Sequence, residues 1–237
     1  MRTLRFYCET LDGDRAVLDS VQSHHLSHVL RLEAGQGVEV FDGQGLLADA
    51  QVEQVGRKQV VLRLVKKTLV AAKTSGRVIL AVSIAKGERF DWMIEKCTEL
   101  GVDHIAAVQC ERTVKMGKSS AVERYKKIAL AAAKQCGRVY LPALSGPDTL
   151  KRTLDSLCAR YPGAAVLYGD VDGVSLDSVS DTAAGRDIVV CIGPEGGFSD
   201  SERELLAAST VRPVSANSNI LRIETAAIAF AAFFCRH

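Results

Sequence analysis

The stretch VVCIGPEGGFSDSE, residues 189–202, carries the reading of the fold. An apolar run ends at Gly193 and gives way to Pro194, Glu195, Gly196 and Gly197; Ser199 and Glu202 then stand at the spacing of a capping box. A buried strand, a tight turn and a helix start near Ser199 or Asp200 follow one another without a spacer. Glycine takes positive φ at no steric cost and admits other groups to the backbone. Gly193, Gly196 and Gly197 therefore imply a demanding turn or a close approach. Ligands of open parallel sheets bind beyond the carboxyl ends of the strands, where this turn falls. Neither GxGxxG nor GxxxxGK[ST] occurs, and Glu195 would repel a phosphate. The turn suits a neutral or cationic small molecule held by backbone groups; a turn that only connects strand to helix is the plainer alternative.

Outward from this turn the rhythm is strand, helix, strand. VILAVSIA (78–85), DHIAAVQ (103–109), AAVLYG (164–169) and DIVVCIG (187–193) are apolar strands. ERFDWMIEKCTELG (88–101) is an amphipathic helix with Phe90, Ile94, Cys97 and Leu100 on one face and Gly101 as its C-cap. SSAVERYKKIALAAAKQC, SDSERELLAAS and ETAAIAFAAFF are further helices. Apolar strands alternating with helices predict an α/β fold, a mostly parallel sheet covered on both faces. Residues 1–70 differ. LRFYCE, AVLD, GVEVFDG, GLLADAQVEQV and QVVLRLVKK are short strands punctuated by Gly and Asp-Gly, and one helix, SVQSHHLSHVL, is capped by Ser20. They predict a small barrel or sandwich, with LVAAKTSGR as the crossing into a second domain over 71–237.

The last chemically suggestive stretch is SANSNILRIETAAIAFAAFF, residues 215–234. A polar loop precedes Arg222 and Glu224, and Thr225 is placed to help cap an almost wholly apolar helix. Such a helix belongs in a core or a subunit interface. Arg222 and Glu224 read as a local ion pair or as site residues.

Composition narrows the class. The chain has 237 residues, 47% hydrophobic and 24% charged, which is ordinary globular usage. Apolar runs fall short of membrane-spanning length and the first residues lack a signal-peptide core. Seven cysteines never pair as CxxC. The expectation is a cytoplasmic protein with no membrane partner, no disulfide framework and no metal. A net charge of +2 excludes a global basic field. Locally, residues 112–138 hold eight basic side chains (Arg112, Lys115, Lys118, Arg124, Lys126, Lys127, Lys134, Arg138) against Glu123, either a solvated helix face or a phosphate-contacting strip.

IGPEGGFSDSE together with ILRIETA resembles the RsmE family of SPOUT-class methyltransferases, which methylate N3 of a uridine in 16S ribosomal RNA with S-adenosylmethionine. HHLSHVLRLEAGQGVEVFDGQG resembles the family's N-terminal RNA-binding domain, AKGERFDWMIEKCTELGVDHIAAVQCERT the opening of its catalytic domain, and AAAKQCGRVYLPAL the segment that follows. The resemblance covers nearly the whole chain. It implies a PUA-like β-barrel over 1–70, a SPOUT methyltransferase domain with a trefoil knot over 71–237, and a homodimer acting on 16S rRNA or the assembled small subunit. General topology rules would exclude the knot, which only the resemblance supplies.

Three loops would hold the cofactor, carried over as Leu167, Tyr168 and Gly169; Ile192, Gly193, Pro194, Gly196 and Gly197; and Ala216, Asn217, Ile220 and Leu221. In place of the family's usual Leu-Gly-x-Arg run this chain has Ala216, Asn217, Ser218 and Asn219. Asn217 replaces a left-handed glycine in this reading, since Asn tolerates that conformation. The methyl donor is already activated, so the protein's tasks are alignment and management of the uridine N3 proton. The expected stabiliser of charge on the uracil oxygens is Arg222, and the expected proton acceptor is Glu224 or Glu195. Cys136 as a nucleophile toward pyrimidine C6 is the rival chemistry, against which its apolar helical setting reads as structural. RNA contacts are expected from Arg2, Arg5, His25 and Arg31, with His24 and His28 as weaker candidates, and from Lys86, Arg89, Arg112 and Arg138. A non-catalytic RNA-binding or ribosome-assembly factor of the same fold is the alternative, favoured by the altered loop 216–219.

Overall fold

The computed structural model describes residues 3–57, 59–113, 121–179, 185–208 and 211–235. The chain divides into two compact units, Met1–Ala72 with Ala133–Leu141, and Lys73–Ala132 with Pro142–His237.

In the first unit β1 (Arg5–Tyr7), β2 (Arg15–Val17), β3 (Gly37–Phe41), β4 (Leu46–Val55) and β5 (Val60–Leu69) form one sheet in the order β1-β3-β4-β5-β2. The β1–β3 pair is parallel and the others are antiparallel, so this is a curled mixed sheet, a half-barrel. Alternate residues such as Val38, Val40, Leu62 and Leu64 fill its core with Phe6, Leu18 and Leu26. Helix α1 (Ser20–His24) runs into a π-helical turn, His25–Val29. Its N-cap is Asp19, not Ser20: the Asp19 carboxylate accepts from Gln22 N at 2.7 Å. Segment Ala133–Leu141 joins this unit through Lys134 Nζ, which donates to Gln22 Oε1 at 3.0 Å, and Tyr140 Oη, which donates to Val70 O at 2.8 Å.

The second unit contains β6 (Val78–Ser83), α2 (Arg89–Leu100), β7 (His104–Gln109), α3 (Ala121–Cys136, its last turn counted with the first unit), β8 (Ala143–Thr149) and α4 (Leu150–Arg160). These are followed by β9 (Ala165–Ser175), β10 (Ile188–Ile192), α5 (Asp200–Ala208), β11 (Arg212–Ser215) and α6 (Ile223–Phe234). Six strands form an all-parallel sheet in the order β11-β9-β10-β6-β7-β8. The unbroken apolar runs of β6 and β10 follow from burial on both faces. Val78, Leu80, Val82, Ile188, Val190 and Ile192 point to the core shared with α2 and α6. Ile79, Ala81, Val189 and Cys191 point to the core shared with α4 and α5. Phe90, Met93 and Ile94 of α2 are fully buried, each contributing roughly 1.5–3 kcal/mol of transfer free energy. Leu100, read as part of that face, is exposed at the helix end. Thr225 lies inside the first turn of α6, whose N-cap is Arg222 without a side-chain cap bond.

The strands that the sequence conceals are edge strands. β8 carries Gly146 and Pro147, and β11 carries Pro213. Proline lacks the donor an interior strand needs, so it reads as a breaker, yet an edge strand tolerates it. At Gly146 a Cβ would run into the Ala107 carbonyl oxygen, so only glycine allows β8 to approach β7 there. Among the described residues no helix is long and apolar enough to cross a membrane.

At the amino ends of the strands a polar network ties the second unit together. Asp187, just before β10, accepts from Arg77 N at 2.9 Å and from the Arg77 guanidinium. That guanidinium lies 4.9 Å over the Tyr161 ring. Tyr161 Oη meets His104 Nδ1 at 3.1 Å, and His104 Nε2 meets Ser145 Oγ at 2.8 Å. Burial, and after it the charge of Arg160, pushes the His104 pKa from 6.5 down to about 4. The unfolded chain takes up this proton below its ordinary value, whereas the folded chain holds the ring neutral. The contribution is therefore full above pH 6.5 and is lost as pH falls toward 4, a loss of about 3 kcal/mol. Urea unfolding at about pH 7 and about pH 4.5 measures it. His104→Gln should flatten the difference; an unchanged pH slope in that variant would assign it to other groups.

Candidate active site

A pocket of about 350 Å³ opens at the carboxyl-end side of β9, β10 and β11, three neighbours in the sheet. This volume lies within the range of roughly 300–1,000 Å³ usual for small-molecule sites. Its walls are stretches 169–171, 192–198 and 214–217, with Asn219, Ile220, Leu221 and Ile223, Arg203 of α5, and Ala226 and Phe230 of α6.

The turn that follows β10 is built by local chemistry. Gly197 N donates to Pro194 O at 2.8 Å, and Gly197 has a φ of +71°, a conformation that any side-chain-bearing residue enters at a cost. The capping box is present and reciprocal: Ser199 N donates to Glu202 Oε2 at 2.9 Å, and Glu202 N to Ser199 Oγ at 3.3 Å. At Gly193 the group close to the backbone is the protein's own: a Cβ would meet the Phe198 ring at 3.0 Å. At Gly169 it would meet the Phe230 ring at 3.1 Å. Both aromatic rings line the pocket, so these two glycines let its aromatic walls close in.

Three charged side chains form a second feature. Arg89, at the start of α2, stands between two carboxylates. Its Nη1 is 3.8 Å from Glu195 Oε1 and its Nε is 3.8 Å from Glu224 Oε1. Glu195 lines the pocket and is 46% exposed. Glu224 is 7% exposed, and its Oε2 is buried without a hydrogen-bond partner. Its position in the first turn of α6 offsets part of that burial through the helix dipole. The ion pair of Glu224 is thus with Arg89, not with its neighbour Arg222, which is exposed.

Of the residues expected to hold a cofactor, Gly169, Ile192, Gly193, Pro194, Gly196, Gly197, Ala216, Asn217, Ile220 and Leu221 line this pocket together. Leu167 and Tyr168 do not. Leu167 is buried in the core, and Tyr168 packs edge-on against Phe198, so both support the wall from behind. Arg222 and Glu224 are not wall residues either, although their neighbours Leu221 and Ile223 are. Asp170 and Arg203, paired at 3.1 Å across the pocket, escape sequence reasoning because 33 positions separate them. Phe198 and Phe230 escape it because they read as core.

The unusual loop is folded by its own asparagines. Asn217 Oδ1 accepts from Asn219 N at 2.9 Å, and Ser215 Oγ donates to the Asn217 carbonyl at 2.9 Å. Asn217 does not take the left-handed conformation expected of it, since the one side-chain-bearing residue with positive φ among those described is Arg31. An Asx turn closes the loop instead.

The basic residues separate into engaged and exposed. Arg5 is spent on Glu39, its cross-strand partner in the β1–β3 register, at 2.7 Å and with 12% of the side chain exposed. His25 is half-buried, its Nδ1 without a partner; burial, then the charges of Lys134 and His24, lowers its pKa and holds it neutral near pH 7. Arg124 pairs with Asp91 and Lys126 with Glu123. Arg138 is half-buried in segment Ala133–Leu141. Lys86, Arg89 and Arg112 are exposed at or just beyond the carboxyl ends of β6 and β7, on the same side of the sheet as the pocket. Arg31 is exposed with a φ of +54°. Cys136 is half-buried and not a wall residue. Arg2, Lys115 and Lys118 lie outside the described residues.

Residues 72–234 match the RNA methyltransferase domain family, and residues 18–65 match the RNA methyltransferase PUA domain family. A parallel sheet with a pocket at its carboxyl ends, joined to a PUA unit, thus defines an enzyme, an RNA methyltransferase. The ribosomal RNA small subunit methyltransferase E of Mycobacterium bovis is 30% identical over 96% of this chain and 89% of its own length. That of Rickettsia conorii is 29% identical over 96% and 93%. A methyltransferase of Legionella pneumophila, solved with the cofactor SAM, superposes with a TM-score of 0.87 at 29% identity, covering 99% of this chain and 97% of that one. The Neisseria gonorrhoeae ribosomal RNA small subunit methyltransferase E, bound to S-adenosyl methionine, superposes with a TM-score of 0.86 at 25% identity over 98% and 96%. The chain belongs to the ribosomal RNA small subunit methyltransferase E family. A non-catalytic assembly factor is accordingly not favoured.

Proposed function

We propose that this chain transfers the methyl group of S-adenosylmethionine to N3 of a uridine in 16S ribosomal RNA. The observation that carries the reading is the convergence of three separate sequence stretches, 169–171, 192–198 and 214–217 continued by 219–221, on one pocket in a member of this family. The pocket's character fits the cofactor. Its walls include Phe198, Phe230 and aliphatic side chains; Asp170 is paired with Arg203, and Glu195, 46% exposed, is the carboxylate that suits a cationic sulfonium where it would repel a phosphate. When bound, the cofactor supplies a methyl group already activated by its sulfonium.

The chain's own residues then manage the uracil. Glu195 accepts the N3 proton; its support is its exposed position in the pocket wall. Glu224 anchors Arg89, and Arg89 in turn steadies the Glu195 carboxylate. The burial of Glu224 Oε2 argues against a direct meeting with the base. Arg222, exposed at the N-cap of α6 beside the pocket, stabilises negative charge that develops on the uracil oxygens. Arg222→Ala should therefore slow transfer at saturating substrates; an unchanged rate would remove this role. Calorimetric titration with S-adenosylhomocysteine tests the cofactor assignment. One site per chain is expected, and absence of binding at roughly millimolar ligand would contradict it.

The proposal further takes from the resemblance residues 1–70 as an RNA-binding domain, residues 71–237 as a knotted catalytic domain, a homodimer, and the cytoplasm as the place of action. The nearly all-apolar α6, with Ile228, Phe233 and Phe234 only partly buried, supports a subunit contact. Arg31 is the best-supported RNA contact of the first unit. A side chain held at positive φ on the surface costs roughly 1–2 kcal/mol, and Gly would avoid that cost. Arg31→Gly should thus keep or slightly raise stability while weakening RNA binding and reducing the salt slope by about one. Unchanged RNA affinity would make Arg31 a mere turn residue.

A further inference from the structure

The segment that follows β7 is sewn to the turn that follows β10, although the two are far apart in sequence. Arg112 Nη1 donates to Gly196 O at 3.0 Å and to Phe198 O at 3.3 Å. Glu111 N donates to Glu202 Oε1 at 3.0 Å, and Ser201 Oγ donates to Glu111 Oε1 at 2.7 Å. Gly196 packs on the stem of Arg112: a Cβ there would stand 3.6 Å from Arg112 Cβ and Cδ.

We propose that Arg112 is a positioning residue for the cofactor turn, and that its main contribution is to cofactor binding rather than to RNA phosphate. The proposal rests on the reading of this pocket as the S-adenosylmethionine site. A peptide unit is planar, so a carbonyl held at one edge fixes the N–H at the other. The unit joining Gly196 to Gly197 is held at both edges, its oxygen by Arg112 and its N–H by Pro194 O. The unit joining Phe198 to Ser199 is held in the same way, its oxygen by Arg112 and its N–H by Glu202 Oε2. One guanidinium therefore fixes the two planes that flank the peptide between Gly197 and Phe198. Glycines lose more backbone freedom on ordering than other residues, so a turn with two adjacent glycines depends on such outside donors. Without Arg112 the turn samples other arrangements, and the cofactor must select the competent one, which weakens apparent affinity.

The test compares wild type, Arg112→Ala and Arg112→Lys by calorimetry with S-adenosylhomocysteine and by steady-state kinetics. RNA binding without cofactor is measured across a salt series. In Arg112→Ala the dissociation constant for S-adenosylhomocysteine and the KM for S-adenosylmethionine should rise about tenfold. The kcat at saturating cofactor should hold within about threefold, and the RNA salt slope should be unchanged. Lysine keeps the charge and can donate to one carbonyl, so Arg112→Lys should recover part of the affinity. Unfolding of Arg112→Ala at the wild-type temperature separates this effect from loss of fold; should it fail to fold, Arg112→Lys with a two- to fivefold weaker affinity and an intact RNA slope carries the proposal. Cofactor affinity kept within twofold in both variants, with an RNA salt slope reduced by about one, would overturn it and make Arg112 a phosphate contact. A wild-type chain that takes up no S-adenosylhomocysteine would overturn the reading of the pocket as well.

Discussion

Replacing Glu195 with glutamine should slow methyl transfer about 10²–10⁴-fold at saturating S-adenosylmethionine and RNA, the range over which a positioned general base contributes. Uridine N3 bears a proton that must leave as the methyl arrives, and Glu195 is the exposed carboxylate on the turn that forms one pocket wall. Glutamine keeps the shape and some of the hydrogen bonding but cannot take the proton. Affinity for S-adenosylhomocysteine, which lacks the sulfonium charge, should change far less, because the turn is closed by Gly197 N and Pro194 O, and by the capping box, none of which uses the Glu195 side chain. Single-turnover kinetics separate the two effects. A rate within threefold of wild type would take the proton acceptor away from Glu195.

Asp187→Ala should destabilise the folded chain by roughly 1.5–3 kcal/mol, the range for hydrogen bonds to a charged group, since Asp187 is buried while the Arg77 side chain is 32% exposed. Burial alone would raise the Asp187 pKa, but the bonds from Arg77 outweigh it and hold the carboxylate below its ordinary value of 3.8. A depressed carboxylate contributes stability that is present above the unfolded value and is lost as pH falls through the folded one. At neutral pH the contribution is complete, so the variant shows its full effect there. Removing Asp187 leaves the Arg77 guanidinium over Tyr161 without its partner and loosens the start of both β6 and β10. The network lies at the amino ends of the strands and the pocket at the carboxyl ends. Cofactor affinity of the folded fraction should therefore be retained. Chemical denaturation reads the stability, and a loss under 1 kcal/mol would show that the pair is matched by its desolvation cost.

The parallel sheet was legible because β6 and β10 are buried at every position and so spell unbroken apolar runs. The edge strands β8 and β11 were not, because Pro147 and Pro213 look like breakers unless the strand is known to lie at an edge. Asp19 and Ser20 are both good caps, and which one serves is settled by whose oxygen reaches Gln22 N. In the site, the glycine turn and the capping box were local and therefore readable. Asp170 with Arg203, Arg89 with Glu195 and Glu224, and Arg112 with Gly196 were not, because each pair is made by the fold across long stretches of chain. The loop 216–219 shows a subtler limit: asparagine is suited both to the left-handed region and to an Asx turn, and sequence alone does not choose between them.

The central claim is tested most directly on the product. Small ribosomal subunits from cells lacking this protein, incubated with the pure chain and S-adenosylmethionine, are digested to nucleosides and measured by mass spectrometry. The account predicts a gain of one 3-methyluridine per subunit; no gain, or a methyl group on another atom or another base, would contradict it.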